Sequence, residues 1–197
     1  PRGTSAWTQE GLGWLRKHAR ALEEISDVEQ LWRGRLYVEL ETFEAVNQSL
    51  KKVEDKLNKL GSADARIRRL RTIPGVGPRL AETVAAFLDD PNRFRNCKHV
   101  GSYVGLTPRQ YQSGQMERQG RISGQGNKLL RSLLVEACWV SLRYNPWARA
   151  TYHRLLRGRP SSKKIAITAL ARKLVVKCWA MLRDEEDWKY DIHEDAA

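Results

Sequence analysis

The sequence predicts a mainly α-helical protein, in which a long heptad-patterned helix precedes a compact helical domain. Apolar residues recur at helical spacing through most of the chain, no segment has convincing strand character, and Gly and Pro gather in a few places. Hydrophobic residues make up 41% of the 197 residues, which is enough for one or two small cores. We expect a coiled-coil-like segment over 1–62, a basic domain over 63–185 and an acidic tail over 186–197.

The N-terminal part is predicted to contain two helices, over 7–25 and 28–60. The second helix carries apolar residues every seven positions and again three positions later, namely Leu36, Phe43, Leu50 and Leu57 with Val46, Val53 and Leu60. This spacing is typical of a coiled coil, and Gly61-Ser62 is predicted to end the helix. The partner of this seam is either 7–25 folded back or the same helix of a second copy.

Residues 64–90 have the pattern helix, tight turn, helix, with the two helices over 65–71 and 79–88. The turn Ile73-Pro74-Gly75-Val76-Gly77 has the form of a helix-hairpin-helix element. Two glycines let the backbone turn tightly and approach a ligand, and the N–H groups that begin the next helix favour an anion. We predict that Gly75, Gly77 and Arg79 contact one DNA phosphate. A helix connector that needs glycine only for its geometry is the alternative.

The remaining segments are also mostly helical. Helices are predicted over 94–104, 127–142, 147–156 and 163–183. Between the first two of these lies the stretch 105–126, which is rich in Gly and Pro and poor in core residues. We predict a long exposed loop there, with room for a short hairpin, and such long loops are usually functional or disordered.

The charge is strongly positive and uneven. The net charge is +12, and residues 66–183 hold 24 Lys and Arg against 5 Asp and Glu, or +19. A compact region of this charge repels itself unless it meets a polyanion, so nucleic acid is the predicted partner, with Lys163 and Lys164 among the phosphate contacts. No apolar run is long enough to cross a membrane. The cysteines lack metal-ligand spacing, so we expect reduced thiols and no metal site in this chain.

One hydroxyl in the 105–126 stretch is a candidate nucleophile. Phosphoryl transfer needs an exposed hydroxyl and cations on the phosphate oxygens, and Ser113 lies between Arg109 and the pair Arg118 and Arg121. A Ser-Gly pair in a loop is more often a simple turn. Ser123 has similar neighbours, and the residues alone do not separate the two serines.

A series of motifs gives the chain a family resemblance. In order they are Ile73-Pro74-Gly75-Val76-Gly77, Gly105-Leu106-Thr107-Pro108-Arg109, Tyr111-Gln112-Ser113-Gly114, Gly120-Arg121-Ile122-Ser123 and Gly126-Asn127-Lys128-Leu129-Leu130-Arg131. With the basic helix over 163–183, this run resembles the C-terminal transposase domain of the DEDD-type bacterial insertion-sequence transposases, which are bridge-RNA-guided recombinases. The resemblance covers rather more than half of the chain.

The resemblance implies a mechanism. Ser113 would attack DNA and form a transient phosphoserine link, Ser123 would shape the loop, and Tyr111 would be a neighbour of the nucleophile. Lys128 and Arg131 join the arginines of the loop as expected nucleic-acid contacts. The family also implies a guide (bridge) RNA, homo-oligomers in which dimers join into a tetramer, and a location in the bacterial cytoplasm.

The chain departs from the family in one respect. The family's N-terminal half is a resolvase-like domain whose acidic residues bind Mg²⁺, and nothing in these 197 residues resembles it. The chain begins Pro1-Arg2-Gly3, so we expect a piece of a longer protein that binds nucleic acid but cleaves poorly or not at all. We expect no cofactor in this chain, with Mg²⁺ held by the missing domain. A non-catalytic helix-hairpin-helix binding module and an oligomerisation scaffold are the competing hypotheses.

Overall fold

The computed structural model of the chain describes residues 7–113, 116–156, 158 and 162–189, without the side chains of residues 110–119. Its helices are α1 (Gln9–His18), α2 (Leu31–Ala63), α3 (Ala65–Leu70), α4 (Pro78–Leu88), α5 (Cys97–Val104), α6 (Lys128–Tyr144), α7 (Pro146–Leu156) and α8 (Lys163–Asp184). Two strands, β1 (Pro108–Ser113) and β2 (Met116–Ile122), form one hairpin. The predicted mainly α class is confirmed.

The chain divides into two compact units, Pro1–Asn58 and Lys59–Ala197. In the first unit α1 lies beside the start of α2, where Arg16 bonds to Glu44 (2.9 Å) and the Trp7 and Phe43 rings lie 5.4 Å apart. Further along, the heptad side chains are exposed in the single chain, with Val46 61% and Leu50 53% accessible. The predicted seam therefore lies on a continuous helix that α1 covers only at its beginning.

The prediction of one helix over 7–25 is wrong. α1 ends at His18, Ala19 is extended, and Leu22–Glu24 forms a short 3₁₀ turn. The bend brings the Leu22 and Ile25 side chains against Gly34 of α2, where a Cβ would collide with them. The bent chain therefore places both side chains in contact with Gly34, although Leu22 stays 50% exposed.

α8 is the centre of the second unit. It packs against α3, α4, α5, α6 and α7, and its inner face is buried. The fully buried residues of the core share an aliphatic character, and the largest of them are Leu70, Ile73, Leu88, Leu130, Leu134, Leu170 and Leu174. Short helices can be stable here because each of them buries one apolar face against α8.

Polar caps fix where several of these helices begin. The side chains of Asp64, Asn96 and Asn127 accept hydrogen bonds from the first-turn N–H groups of α3, α5 and α6, respectively. Such caps satisfy backbone donors that have no partner inside the helix. The helix predicted over 28–60 does not end at Gly61-Ser62, because α2 continues to Ala63 and the cap of α3 follows directly.

The 105–126 stretch contains strands, so the expectation that no segment has convincing strand character is wrong. β1 and β2 pair antiparallel, with Tyr111 opposite Arg118 and Ser113 opposite Met116, and an irregularity between Pro108 and Gln110. These strands are mostly polar and do not alternate between apolar and polar residues, so their sequence lacks the usual pattern of a half-buried strand. No helix in the described part of the chain is long and apolar enough to cross a membrane.

Candidate nucleic-acid interface

The turn between α3 and α4 is fixed from inside the fold. Ile73 and Val76 are buried, and the Val76 N–H donates to the Ile73 carbonyl at 3.0 Å. Gly75 has φ +94°, and a Cβ there would collide with Ser141 of α6. The backbone conformation and the close helix packing therefore explain why position 75 is a glycine. The predicted contact of Gly75 with a phosphate stays a prediction.

Two buried polar residues of the α6–α7 junction hold this turn. The Ser141 hydroxyl and the Asn145 amide both donate to the Pro74 carbonyl, at 3.2 Å and 3.3 Å. Asn145 also accepts a hydrogen bond from the Ala148 N–H (3.3 Å) at the start of α7. One side chain therefore satisfies both the turn and a helix terminus, which explains a polar group that is completely buried.

Gly77 faces the opposite situation. It is the N-cap residue of α4, no side chain caps that helix, and no atom lies within 4 Å of where its Cβ would be. An anion could approach the first-turn N–H groups from this open side. The Arg79 guanidinium, predicted as a phosphate contact, donates to Glu82 (2.7 Å), so part of its charge is already compensated.

Three arginines of α3 have partners inside the chain. Arg66 bonds to Asp64 (2.8 Å), and this hydrogen bond lowers the pKa of the Asp64 carboxyl. Arg68 donates to the carbonyls of Ser62 and Ala63 near the end of α2. Arg69 lies 3.9 Å from Glu185, beyond the end of α8. Several of these charges therefore already have intramolecular partners.

The hairpin separates the two candidate serines. Ser113 is the last residue of β1 and pairs with Met116 of β2, and its side chain is outside the described part, as is that of Arg118. Ser123 lies at the root, where its N–H donates to the Thr107 carbonyl (2.8 Å) and its carbonyl accepts from Arg109 (3.1 Å). Arg121 is exposed on β2. The strand thus places Ser113 at the tip and Ser123 at the attachment point.

The root of the hairpin is tied to α5 and α6. Gly105 has φ +77°, and a Cβ there would collide with the carbonyl of Gln125 on the opposite arm. Arg131 of α6 donates to the carbonyls of Val104 (3.2 Å) and Gln125 (2.9 Å). Arg131, predicted as a nucleic-acid contact, therefore also anchors the hairpin, while Lys128 is exposed at the start of α6.

The comparisons with known proteins follow this geometry. The family described as "Transposase IS116/IS110/IS902 family" matches residues 67–153, from α3 to α7, with the hairpin inside. Residues 67–153 are thus similar to the domain of this transposase family. A probable family 20 transposase of Pseudomonas aeruginosa is 34% identical over 75% of this chain and 43% of its own length.

Two other relatives give the same picture of the transposase domain. A pilin gene-inverting protein of Moraxella lacunata is 35% identical over 64% of this chain and 39% of its own length. The transposase for insertion sequence element IS1111A of Coxiella burnetii is 31% identical over 69% and 38%, respectively. The matched part of the chain thus spans less than half the length of these relatives.

Most of the positive charge around the transposase domain has no carboxylate to neutralise it. The five carboxylates within 66–183 neutralise at most five of the 24 positive charges there, and carboxylates outside this range contact three more of its arginines, Arg66, Arg69 and Arg183. Lys163 and Lys164, predicted phosphate contacts, are exposed at the start of α8. In the described residues no three side chains that could ligate a metal come together. The domain therefore offers cations for a polyanion and no internal metal site among the described residues.

The thiols lie away from this surface. Cys138 of α6 and Cys178 of α8 are buried, whereas Cys97 is exposed, and all three are free. Burial raises the pKa of the Cys178 thiol to about 12 and also raises that of Cys138. Both buried thiols are therefore neutral packing groups at neutral pH.

The sequence analysis did not identify the buried side chains that hold the turn and the hairpin root in place. Ser141 and Asn145 continue the buried face of α6 four residues apart, and a polar residue at a core position signals a hydrogen-bond partner elsewhere. That signal could have linked the α6–α7 junction to the turn. No local pattern pointed to the role of Arg131, because its acceptors Val104 and Gln125 lie at the two ends of a segment that was predicted as a loop.

Proposed function

We propose that this chain is the DNA-binding and nucleophile-bearing part of a transposase that cuts and joins DNA through Ser113. In this proposal the serine attacks a backbone phosphate and holds the broken strand as a phosphoserine ester. The observation that carries it is the hairpin inside the region matched by the family. Its first strand ends at Ser113, and basic side chains lie at its root. The reaction class is supported by the relatives, which are named a pilin gene-inverting protein and a transposase.

The proposed reaction has two steps, in which this chain supplies the serine nucleophile and the arginines that stabilise the phosphate. The Ser113 oxygen loses its proton and forms a bond to phosphorus, while the bond from phosphorus to one deoxyribose oxygen breaks and that oxygen takes up a proton. A second DNA hydroxyl then attacks the phosphoserine and releases the serine. Arginines stabilise the charge that develops on the phosphate oxygens, a role we assign to Arg109, Arg118 and Arg121.

DNA positioning is the second part of the proposal. The open first turn of α4 at Gly77, together with Lys128, Lys163 and Lys164, would contact backbone phosphates without reading sequence. The turn from α3 to α4 would then act as a helix-hairpin-helix element. The packing of Gly75 against Ser141 keeps it rigid enough for that.

Metal, guide RNA and further copies belong to the whole protein. The described residues do not gather a Mg²⁺ ligand set, and in this proposal Mg²⁺ is held outside this chain. A guide RNA would use the same cationic surface. The exposed heptad side chains of α2 support association of copies.

The test of the nucleophile is Ser113→Ala in a transposase that contains this chain together with a metal-binding region. We expect strand exchange to fall by at least about 10³-fold with DNA affinity unchanged, because a missing nucleophile removes the covalent step only. The reaction is followed by gel separation of covalent protein–DNA adducts and joined products. Ser123→Ala is the matched control and should keep most activity.

A non-catalytic binding module is the alternative function, favoured by the open first turn of α4 and the exposed lysines, which can bind phosphates without any nucleophile. Under that alternative Ser113→Ala changes neither binding nor recombination. Retained strand exchange by the Ser113→Ala protein would therefore exclude the proposed mechanism. Loss of exchange in Ser123→Ala with Ser113→Ala active would move the nucleophile to the hairpin root.

A further inference from the structure

The chain beyond α8 folds back onto α3. Glu185 follows α8 with φ +55°, a left-handed conformation that reverses the backbone. Three residues later the Trp188 N–H donates to the Thr72 hydroxyl (2.9 Å), and the Trp188 ring packs edge-on against Trp147 at 5.4 Å. Trp188 also packs against the hydrophobic core, so this short segment has a defined anchor.

Two carboxylates of this segment lie over one arginine. The Arg69 guanidinium is 3.9 Å from Glu185 and 4.0 Å from Asp187. The arginine side chain is only 17% exposed, whereas the two carboxylate side chains are 80% and 70% exposed. The Arg69 side chain is thus mostly buried, while the two carboxylates that face it are mostly exposed to solvent.

Contacts of this length and exposure are weak. An ion pair at about 4 Å whose carboxylate is mostly exposed is screened by water and salt, so it contributes little to stability. A phosphodiester presents anionic oxygens of the same kind and can form shorter, charge-assisted hydrogen bonds with a guanidinium. The exposed Arg71 lies on the same segment, one residue beyond α3. The carboxylates therefore occupy a place that suits a nucleic-acid backbone better.

We propose that the α3 surface around Arg69 is a contact for a nucleic-acid phosphate backbone, and that Glu185 and Asp187 occupy it in the free protein. Nucleic acid must displace these two carboxylates to bind there. Because Trp188 remains anchored, the carboxylates stay at high local concentration and compete at every protein concentration. The competition disfavours weak, non-specific binding. This inference rests on the proposed DNA-binding function.

The experiment compares two variants of the full chain that lose the same two charges. Glu185→Gln/Asp187→Asn removes the carboxylates that face Arg69, and Asp184→Asn/Glu186→Gln removes two that pair with Arg183 and Lys189 instead. Affinity for a short duplex DNA of mixed sequence is measured by fluorescence anisotropy at low salt. We expect the first variant to bind at least about threefold more tightly than the second, because both gain the same long-range attraction and only the first uncovers Arg69.

A second arm tests whether Arg69 carries the difference. In an Arg69→Gln background the two double variants should bind alike, and Arg69→Gln alone should weaken binding, whereas Arg69→Lys retains most of the affinity. Equal affinities of the two variants with Arg69 intact, or no effect of Arg69→Gln, would overturn the inference and leave the proposed function standing. Absence of DNA binding in every variant and in the unmodified chain would refute both.

Discussion

Two glycines two residues apart are present in the α3–α4 turn for different physical reasons. Gly75 adopts a backbone conformation that disfavours side chains and touches Ser141, whereas Gly77 has ordinary φ and open space around it. We expect Gly75→Ala to lower the free energy of unfolding by at least about 2 kcal/mol. Gly77→Ala should cost less than about 1 kcal/mol, the usual cost of alanine at an N-cap. Urea unfolding of both variants measures the difference.

The same pair separates stability from binding. A methyl group at Gly77 would stand in the space through which a phosphate approaches α4, so DNA affinity should fall in a variant that is still well folded. Equal stability of the two alanine variants would mean that the contact between Gly75 and Ser141 has no energetic weight. An unchanged affinity of Gly77→Ala would remove the α4 terminus from the interface.

At the scale of elements, the packing of α6 on α8 predicts a pH dependence. The pKa values of Cys138 and Cys178 are raised in the folded protein above their ordinary value of 9.0, so their contribution is complete below pH 9 and is lost as the pH rises towards 12. A rise from pH 9 to pH 10 should lower the free energy of unfolding by about 1 kcal/mol for each thiol, because the thiol then ionises in the unfolded chain only.

The comparison that isolates this effect uses cysteine variants. Cys138→Ala/Cys178→Ala should be less stable at neutral pH because of the lost packing, yet its stability should fall less steeply above pH 9. Cys97→Ala, at an exposed position, should keep the unmodified slope. The measurement is urea unfolding at pH 8, 9 and 10 under reducing conditions, and parallel slopes in all three proteins would contradict the prediction.

Elements differed in how well their sequence predicted them. Helices α4, α6, α7 and α8 lie within two residues of their expected bounds, because each buries an apolar face that repeats at helical spacing. The hairpin has no such face, and its pairing depends on backbone hydrogen bonds and on its glycine-bounded root. For the site, position 113 came from a family motif, and no pattern in the residues alone separated it from Ser123.

At the scale of the whole molecule, the exposed seam of α2 predicts self-association. Leu50→Glu/Val53→Glu places charges at heptad core positions that are 53% and 56% exposed in the single chain. If copies pair through this seam, these variants should be monomeric by analytical ultracentrifugation where the unmodified chain is a dimer or larger, with the fold of each chain unchanged.

The matched control places the same two charges on the outward face of α2. Ala45→Glu/Gln48→Glu should keep the oligomeric state of the unmodified chain. A monomeric unmodified chain, or equal dissociation in both variants, would exclude this seam as the interface. Sequence periodicity could predict the seam but could not reveal the acidic segment on α3, because that contact joins Thr72 to Trp188 through tertiary packing alone.

The hairpin root has a consequence for how the molecule can vary. Its two arms meet where Gly105 touches Gln125, and Arg131 clamps both sides of that meeting point to the helices. The β1–β2 hairpin is thus attached to the helical domain at this place. Among the described residues, the hydrophobic core contains none between Leu106 and Leu130, so changes in the hairpin beyond the clamp should strain the core little.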